Sequence, residues 1–102
     1  MMFKKDLIDK ILAGTKTMTS RDKPLYKVGA VTNLMANKDY SKATGKYIKI
    51  TAVYEKALGK FTDEDSRKEG FENIAEFEKY WEDNIGVWNP DKIVWVHEFE
   101  LV

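Results

Sequence analysis

The sequence predicts an α+β fold: a small barrel or strongly curved sheet, with an N-terminal helix and a helical insert before the C-terminal strand. Three observations lead there. Residues 47–55 and 93–102 alternate side-chain character with the two-residue period of strands. Residues 4–12 place apolar side chains at helical spacing. Between the two strands, residues 62–86 carry two helix-start signals and one apolar stripe. A length of 102 residues suits one domain spanning 1–102, which can bury a core without metal or disulfide support.

Taken in order, Leu7, Ile8, Ile11 and Leu12 form the apolar face of the first helix, and Gly14 stands where a left-handed C-terminal cap is usual. Thr15 to Lys27 is polar, contains Pro24 and shows no apolar period, so an ordered loop is expected, closing against Tyr26. Ala30 to Met35 reads as a strand, and the polar tract through Asn37, Lys38, Asp39 and Gly45 as a turn or hairpin end. In the next strand Ile48, Ile50, Ala52 and Tyr54 share one face, with Tyr47, Lys49, Thr51, Val53 and Glu55 opposite.

Thr62 with Asp65, and Asn73 with Glu76, are capping pairs for a short helix and a longer one. Ile74, Phe77 and Trp81 make the stripe of the longer helix, backed by Tyr80 and Ile85, with Gly86 at its end. That stripe is expected to pack in the core, because one apolar face is what a surface helix must bury. In the last strand Ile93, Trp95, His97, Phe99 and Leu101 oppose Val94, Val96, Glu98, Glu100 and Val102. Trp88 is the tryptophan expected nearest the surface, covering the barrel end or stacking on a base.

The chain has no cysteine, which removes disulfides, thiolate metal sites and cysteine nucleophiles. A lone His97 without partners at ligand spacing predicts a half-buried strand residue and no metal site. The N-terminus lacks the apolar run of a signal peptide and no segment nears the length of a membrane helix, so a soluble, cytoplasmic protein with no membrane contact is expected. Lys/Arg and Asp/Glu number 17 each, but residues 1–60 hold 13 basic and 5 acidic side chains, and residues 61–102 hold 4 and 12. A neutral molecule of this kind can still present a surface that attracts phosphate.

The most informative stretch is Gly14-Thr15-Lys16-Thr17-Met18-Thr19-Ser20-Arg21, in the basic half. Gly-x-Lys-x-x-Thr-x-Arg is expected by chance on the order of once in a thousand chains of this length. A threonine hydroxyl needs a base to become a nucleophile, and Lys16 can serve only if its pKa is lowered, as the like charge of Arg21 and partial burial would lower it. Alternatively Lys16, Thr19 and Arg21 hold a phosphate or a carbonyl oxygen and transform nothing. Glu69, followed by Gly70 and Phe71, sits at a turn that could aim its carboxylate at the loop, although an acid at a helix end is ordinarily solvated.

The motif resembles the signature of the ASCH domain family, small proteins with a PUA-like β-barrel. The helix 6–13, the turn Tyr26-Lys27-Val28-Gly29, the Glu69-Gly70-Phe71 segment before Asn73 and the closing Glu98-Phe99-Glu100-Leu101 follow in family order, so the resemblance covers nearly the whole chain. It implies an RNA or nucleoside partner. It also resembles a single-domain branch that hydrolyses the acetyl amide of N(4)-acetylcytidine, and this assigns Lys16 as proton acceptor, Thr19 as nucleophile and Glu69 as proton donor. Arg21 or backbone amides would hold the oxyanion, and no cofactor or metal is implied. Ser20 departs from that branch, which has an apolar residue there, and Ala30 stands where an acid is common. The rival reading is a non-catalytic RNA-binding module in which Lys16, Arg21, Lys23 and Lys27 line a groove along the backbone.

Overall fold

The computed structural model describes residues 1–36 and 43–102. Its elements are β1 (Met2–Phe3), α1 (Lys5–Leu12), β2 (Met18–Arg21), β3 (Val31–Ala36), β4 (Ala43–Ala57), a 3₁₀ turn (Leu58–Lys60), α2 (Asp63–Lys68), α3 (Ile74–Asn84) and β5 (Ile93–Leu101). Among the described residues the sheet has five strands in the order β1-β3-β4-β5-β2, and only the β1–β3 pairing is parallel. The turn expected at Asn37, Lys38 and Asp39 lies outside the described residues, while Gly45 falls within β4 at φ +75°.

Helix α1 buries Leu7, Ile8 and Ile11 and leaves Leu12 exposed. Gly14 ends it at φ +82°, where a side chain would cost about 1 kcal/mol or more. The amides of Thr15 and Lys16 both donate to the Lys10 carbonyl, at 2.9 and 3.1 Å. The chain is thereby reversed into β2. The loop expected over Thr15 to Lys27 therefore contains a strand: Met18 to Arg21 pair with β5, and alternation failed to reveal it because Met18 is the one apolar residue among the four.

β4 and β5 pair from Ile48↔Leu101 to Ala57↔Ile93, with a register slip between Ile50 and Ala52. Thr51 is the extra residue of a bulge, which bends the strand and increases its twist. Ile48 and Ile50 are fully buried, whereas Ala52 and Tyr54, expected on the same face, lie beyond the bulge and are half-buried. The bend has a visible consequence. β1 and β2 are the two edges of the sheet, yet Arg21 Nη2 donates to the Met2 carbonyl at 3.0 Å. The sheet is curled into a half-barrel whose edges meet at that guanidinium.

Helices α2 and α3 precede β5, as the capping pairs predict. The Thr62 hydroxyl accepts from the Asp65 amide at 3.1 Å and Asp65 Oδ2 accepts from the Thr62 amide at 3.0 Å, a complete capping box that Lys56 ties to β4 at 2.7 Å. Asn73 accepts from the Glu76 amide at 2.9 Å. Phe77 sits at the centre of the stripe, with ring centroids of Phe61 and Phe71 at 5.5 Å, Trp88 at 5.7 Å and Trp81 at 6.2 Å. Trp88 is therefore an aromatic cover for this cluster, whereas Ile85 points out and is 59% exposed. No helix in the described residues is long and apolar enough to cross a membrane.

Candidate active site

The register of β2 against β5 sets Thr19 opposite His97 and Ser20 opposite Val96, so the two hydroxyls leave the strand on opposite faces. Because β2 is an edge strand, side chains from both faces reach one cavity of about 730 Å³. Lys16, Thr19, Ser20, Arg21 and Glu69 line it together with the aromatic side chains of Phe3, Tyr26, Phe71, Tyr80 and Trp81. Lys4, at the rim, hydrogen-bonds Asn84 at the end of α3.

Lys16 is 3% exposed and its amine is fully engaged. It donates to the Met18 carbonyl at 2.7 Å, the Glu69 carbonyl at 2.8 Å and Glu69 Oε1 at 3.5 Å. Three acceptors around one nitrogen match the three donors of an ammonium ion. Glu69 is 2% exposed, against the solvated position expected for an acid at a helix end. Besides Lys16, three neighbouring features fix the chain around it. The Thr17 amide donates to the Lys68 carbonyl at 2.8 Å, joining the motif to the end of α2. Gly70 turns the chain at φ +102°, and a Cβ there would stand 3.1 Å from Lys10 Cδ and 3.3 Å from Lys16 Cβ. Lys10 also donates to the Gly70 carbonyl at 2.7 Å, so two cations meet the negative end of α2.

The other Glu69 oxygen, Oε2, accepts from the Ser20 hydroxyl at 3.0 Å. Arg21 Nη1 donates to Thr19 Oγ1 at 2.6 Å and to the Ser20 carbonyl at 3.3 Å, and the guanidinium lies 5.0 Å from the Phe3 ring centroid. Lys16 makes no hydrogen bond to Thr19 among the described residues. The structure thus brings Lys16, Thr19, Arg21 and Glu69 together. It leaves Lys23 exposed and outside the cavity lining, with Lys27 also exposed.

Burial lowers the Lys16 amine from its ordinary value; Glu69 opposes that shift and Arg21 reinforces it. Burial raises the Glu69 carboxyl, opposed by Lys16, Ser20 and Arg21. Both shifts favour uncharged forms, so desolvation presses the ion pair toward its tautomer, a neutral amine beside a protonated carboxyl. That tautomer is reached by moving one proton within the pair, with none taken from solvent. It holds a base and an acid at once.

His97, expected to be half-buried, is fully buried, with both ring nitrogens engaged. Nε2 accepts from the Leu25 amide at 3.2 Å and Nδ1 lies 3.1 Å from the Trp95 carbonyl. One nitrogen must accept and the other donate, which fixes a neutral ring with its proton on Nδ1. Leu25 and Tyr26 line the cavity, so His97 pins a wall of the site. Nothing in its sequence neighbourhood signals this, since the partner amide is 72 positions away.

The ASCH domain family model matches residues 1–102. Among solved structures, the chain is similar to protein EF3133 of Enterococcus faecalis, from family model DUF984, with 18% identity, a TM-score of 0.69, and coverage of 95% of this chain and 67% of that one. It is similar to an ASCH domain from Lactobacillus crispatus with 15% identity, a TM-score of 0.74, and coverage of 94% and 70%. A mutant ZmASCH protein from Zymomonas mobilis gives 14% identity, a TM-score of 0.65, and coverage of 98% and 65%. The chain therefore spans about two thirds of the length of these structures. At such identities the likeness is one of fold: a curled sheet with an N-terminal helix and helices before the last strand. No curated protein sequence matches the chain significantly.

Proposed function

The chain belongs to the ASCH domain family, and from that membership we propose that its cavity recognises a nucleoside and hydrolyses the acetyl amide of N(4)-acetylcytidine. The observation that carries this reading is the meeting of Lys16, Thr19 and Glu69, drawn from three separate elements or loops, around one sheltered cavity. Its volume of about 730 Å³ lies within the range of small-molecule sites. Aromatic side chains in its lining suit a base, and Thr19, Ser20 and Arg21 of β2 share that lining with Lys16 and Glu69.

In the proposed reaction, proton transfer from Lys16 to Glu69 leaves a neutral amine and a carboxylic acid. Lys16 then takes the Thr19 proton as Thr19 Oγ1 attacks the acetyl carbon. Arg21, already donating to Thr19 Oγ1, stabilises negative charge on that oxygen and on the oxyanion that follows. Glu69 protonates the departing amine of cytidine. Water then cleaves the acetyl ester of Thr19, releasing acetate. The reading requires the Lys16 amine to leave the Met18 carbonyl for the Thr19 hydroxyl when substrate enters, a tightening common to catalytic hydrogen bonds.

Purified protein given N(4)-acetylcytidine and followed by chromatography should release cytidine, and Lys16→Ala and Thr19→Ala should each abolish the release. Absence of release by the wild type overturns the reading. A second reading, a non-catalytic RNA-binding domain, keeps Lys16 as a buried structural cation with its three donors spent on Glu69 and Met18, and leaves the backbone contacts to Arg21 and the exposed Lys23 and Lys27. Salt separates the two, since several phosphate contacts would make affinity fall steeply with ionic strength, whereas a neutral nucleoside would hardly respond.

A further inference from the structure

The cavity contains a second hydroxyl that the amidohydrolase reading does not use, and it is the one that touches a base. Ser20 Oγ donates to Glu69 Oε2 at 3.0 Å, while Glu69 Oε1 and the Glu69 carbonyl are held by Lys16 at 3.5 and 2.8 Å. A hydroxyl bonded to a base, with that base oriented by a third group, is the arrangement that recurs in activated nucleophiles. Thr19 stands differently: its oxygen accepts from Arg21 at 2.6 Å and has no carboxylate or amine as acceptor among the described residues.

We propose that Ser20, with Glu69 as its base and Lys16 orienting that base, is an acyl acceptor that gives this site an esterase activity toward small carboxylic esters, separate from the Thr19 chemistry. Three further features fit the assignment. Ser20 is half-buried and lines the cavity, so an ester can reach it while Glu69 stays shielded. Ser20 and Thr19 leave β2 on opposite faces, so the two hydroxyls approach a bound carbonyl from different sides. The Arg21 guanidinium lines the same cavity and is a cation that could stabilise the developing oxyanion. This chemistry uses the charged form of the pair, a Glu69 carboxylate beside a Lys16 ammonium whose three donors match its three acceptors.

The step balances within the site. The Glu69 carboxylate takes the Ser20 proton as Oγ bonds to the ester carbonyl carbon. The carbon–oxygen bond to the alcohol breaks, and the alkoxide leaves with its electron pair and the proton from Glu69. Glu69 then takes a proton from water, the hydroxide attacks the acyl-Ser20 carbonyl, and Ser20 Oγ departs with that proton. One ester and one water become an acid and an alcohol.

The test uses p-nitrophenyl acetate, mixed with the whole chain, quenched early and mapped by peptide mass spectrometry. An acetyl group on Ser20 that neutral hydroxylamine removes is expected, because an ester is cleaved by that reagent and an acetylated lysine is not. Ser20→Ala should lose this adduct and slow p-nitrophenolate release by about a hundredfold, the usual reach of positioned base catalysis. Ser20→Cys should carry the acetyl as a thioester at the same position. Acetyl found only on Thr19 or only on lysine amines, or no hydroxylamine-sensitive adduct at all, overturns the proposal. Parallel assay of N(4)-acetylcytidine keeps the two readings apart: ester turnover through Ser20 without cytidine release upholds this inference and defeats the amidohydrolase, and cytidine release with acetyl on Thr19 alone does the reverse.

Discussion

Lys16 holds Glu69 at two points, donating to its backbone carbonyl at 2.8 Å and to its carboxylate at 3.5 Å, with both side chains almost fully buried. Each residue is tolerable only because of the other. Lys16→Met leaves an unpaired buried carboxylate, and Glu69→Leu an unpaired buried ammonium; each is expected to cost about 3–5 kcal/mol. The double substitution removes both charges and should cost clearly less than the sum of the single changes. Urea unfolding of the four proteins provides the cycle, and additive losses would show that the two groups are not coupled.

Gly70 and Gly14 make different demands although both have positive φ. A side chain at Gly14 meets nothing within 4 Å, whereas one at Gly70 presses on Lys10 and Lys16. Gly14→Ala is expected to cost about 1–2 kcal/mol from conformation alone. Gly70→Ala should cost more than that and also displace Glu69, lowering whatever turnover the site supports. Paired thermal melts and activity assays separate the two effects.

The capping box at Thr62 is stability with no part in the site. Thr62→Ala removes the bond to the Asp65 amide and is expected to cost about 1 kcal/mol, lowering Tm by about 4–8 °C for a domain of this size. Differential scanning calorimetry reads it directly, and cavity chemistry should be unchanged.

His97 makes stability depend on pH. Burial lowers its pKa below the usual histidine value; the Trp95 carbonyl opposes and Arg21 reinforces the shift. The unfolded chain therefore binds a proton that the folded chain refuses, so this contribution is present above pH of about 6.5 and is lost as pH falls toward the depressed folded value. Protonation also removes the acceptor for the Leu25 amide, so amide exchange at Leu25 should accelerate in the same window. In His97→Gln both trends should flatten, and an unchanged slope would show that another group is responsible.

Much of this arrangement is legible in local sequence. The pairs Thr62–Asp65 and Asn73–Glu76 give the helix starts, Gly14 gives the end of α1, and the alternation of 47–55 and 93–102 gives the two longest strands. β1 has two residues and β2 one apolar residue in four, too little for a period to register. Thr51 looks like any outward strand residue, and only the pairing with β5 reveals the bulge. The burial of Glu69 has no local signal. It comes from Lys16, 53 positions away, and from the space Gly70 leaves beside that lysine. Lys23 is the converse: near the motif in sequence, it is exposed and outside the cavity lining.

If ligand enters the cavity on the β2 edge, backbone chemical-shift mapping with N(4)-acetylcytidine will locate it there. The expected result is a contiguous set of shifts at Thr19, Ser20, Arg21, Glu69 and Tyr80, saturating with ligand and insensitive to added salt. Shifts confined to the exposed positions around Lys23 and Lys27, with the cavity residues unmoved, would contradict it.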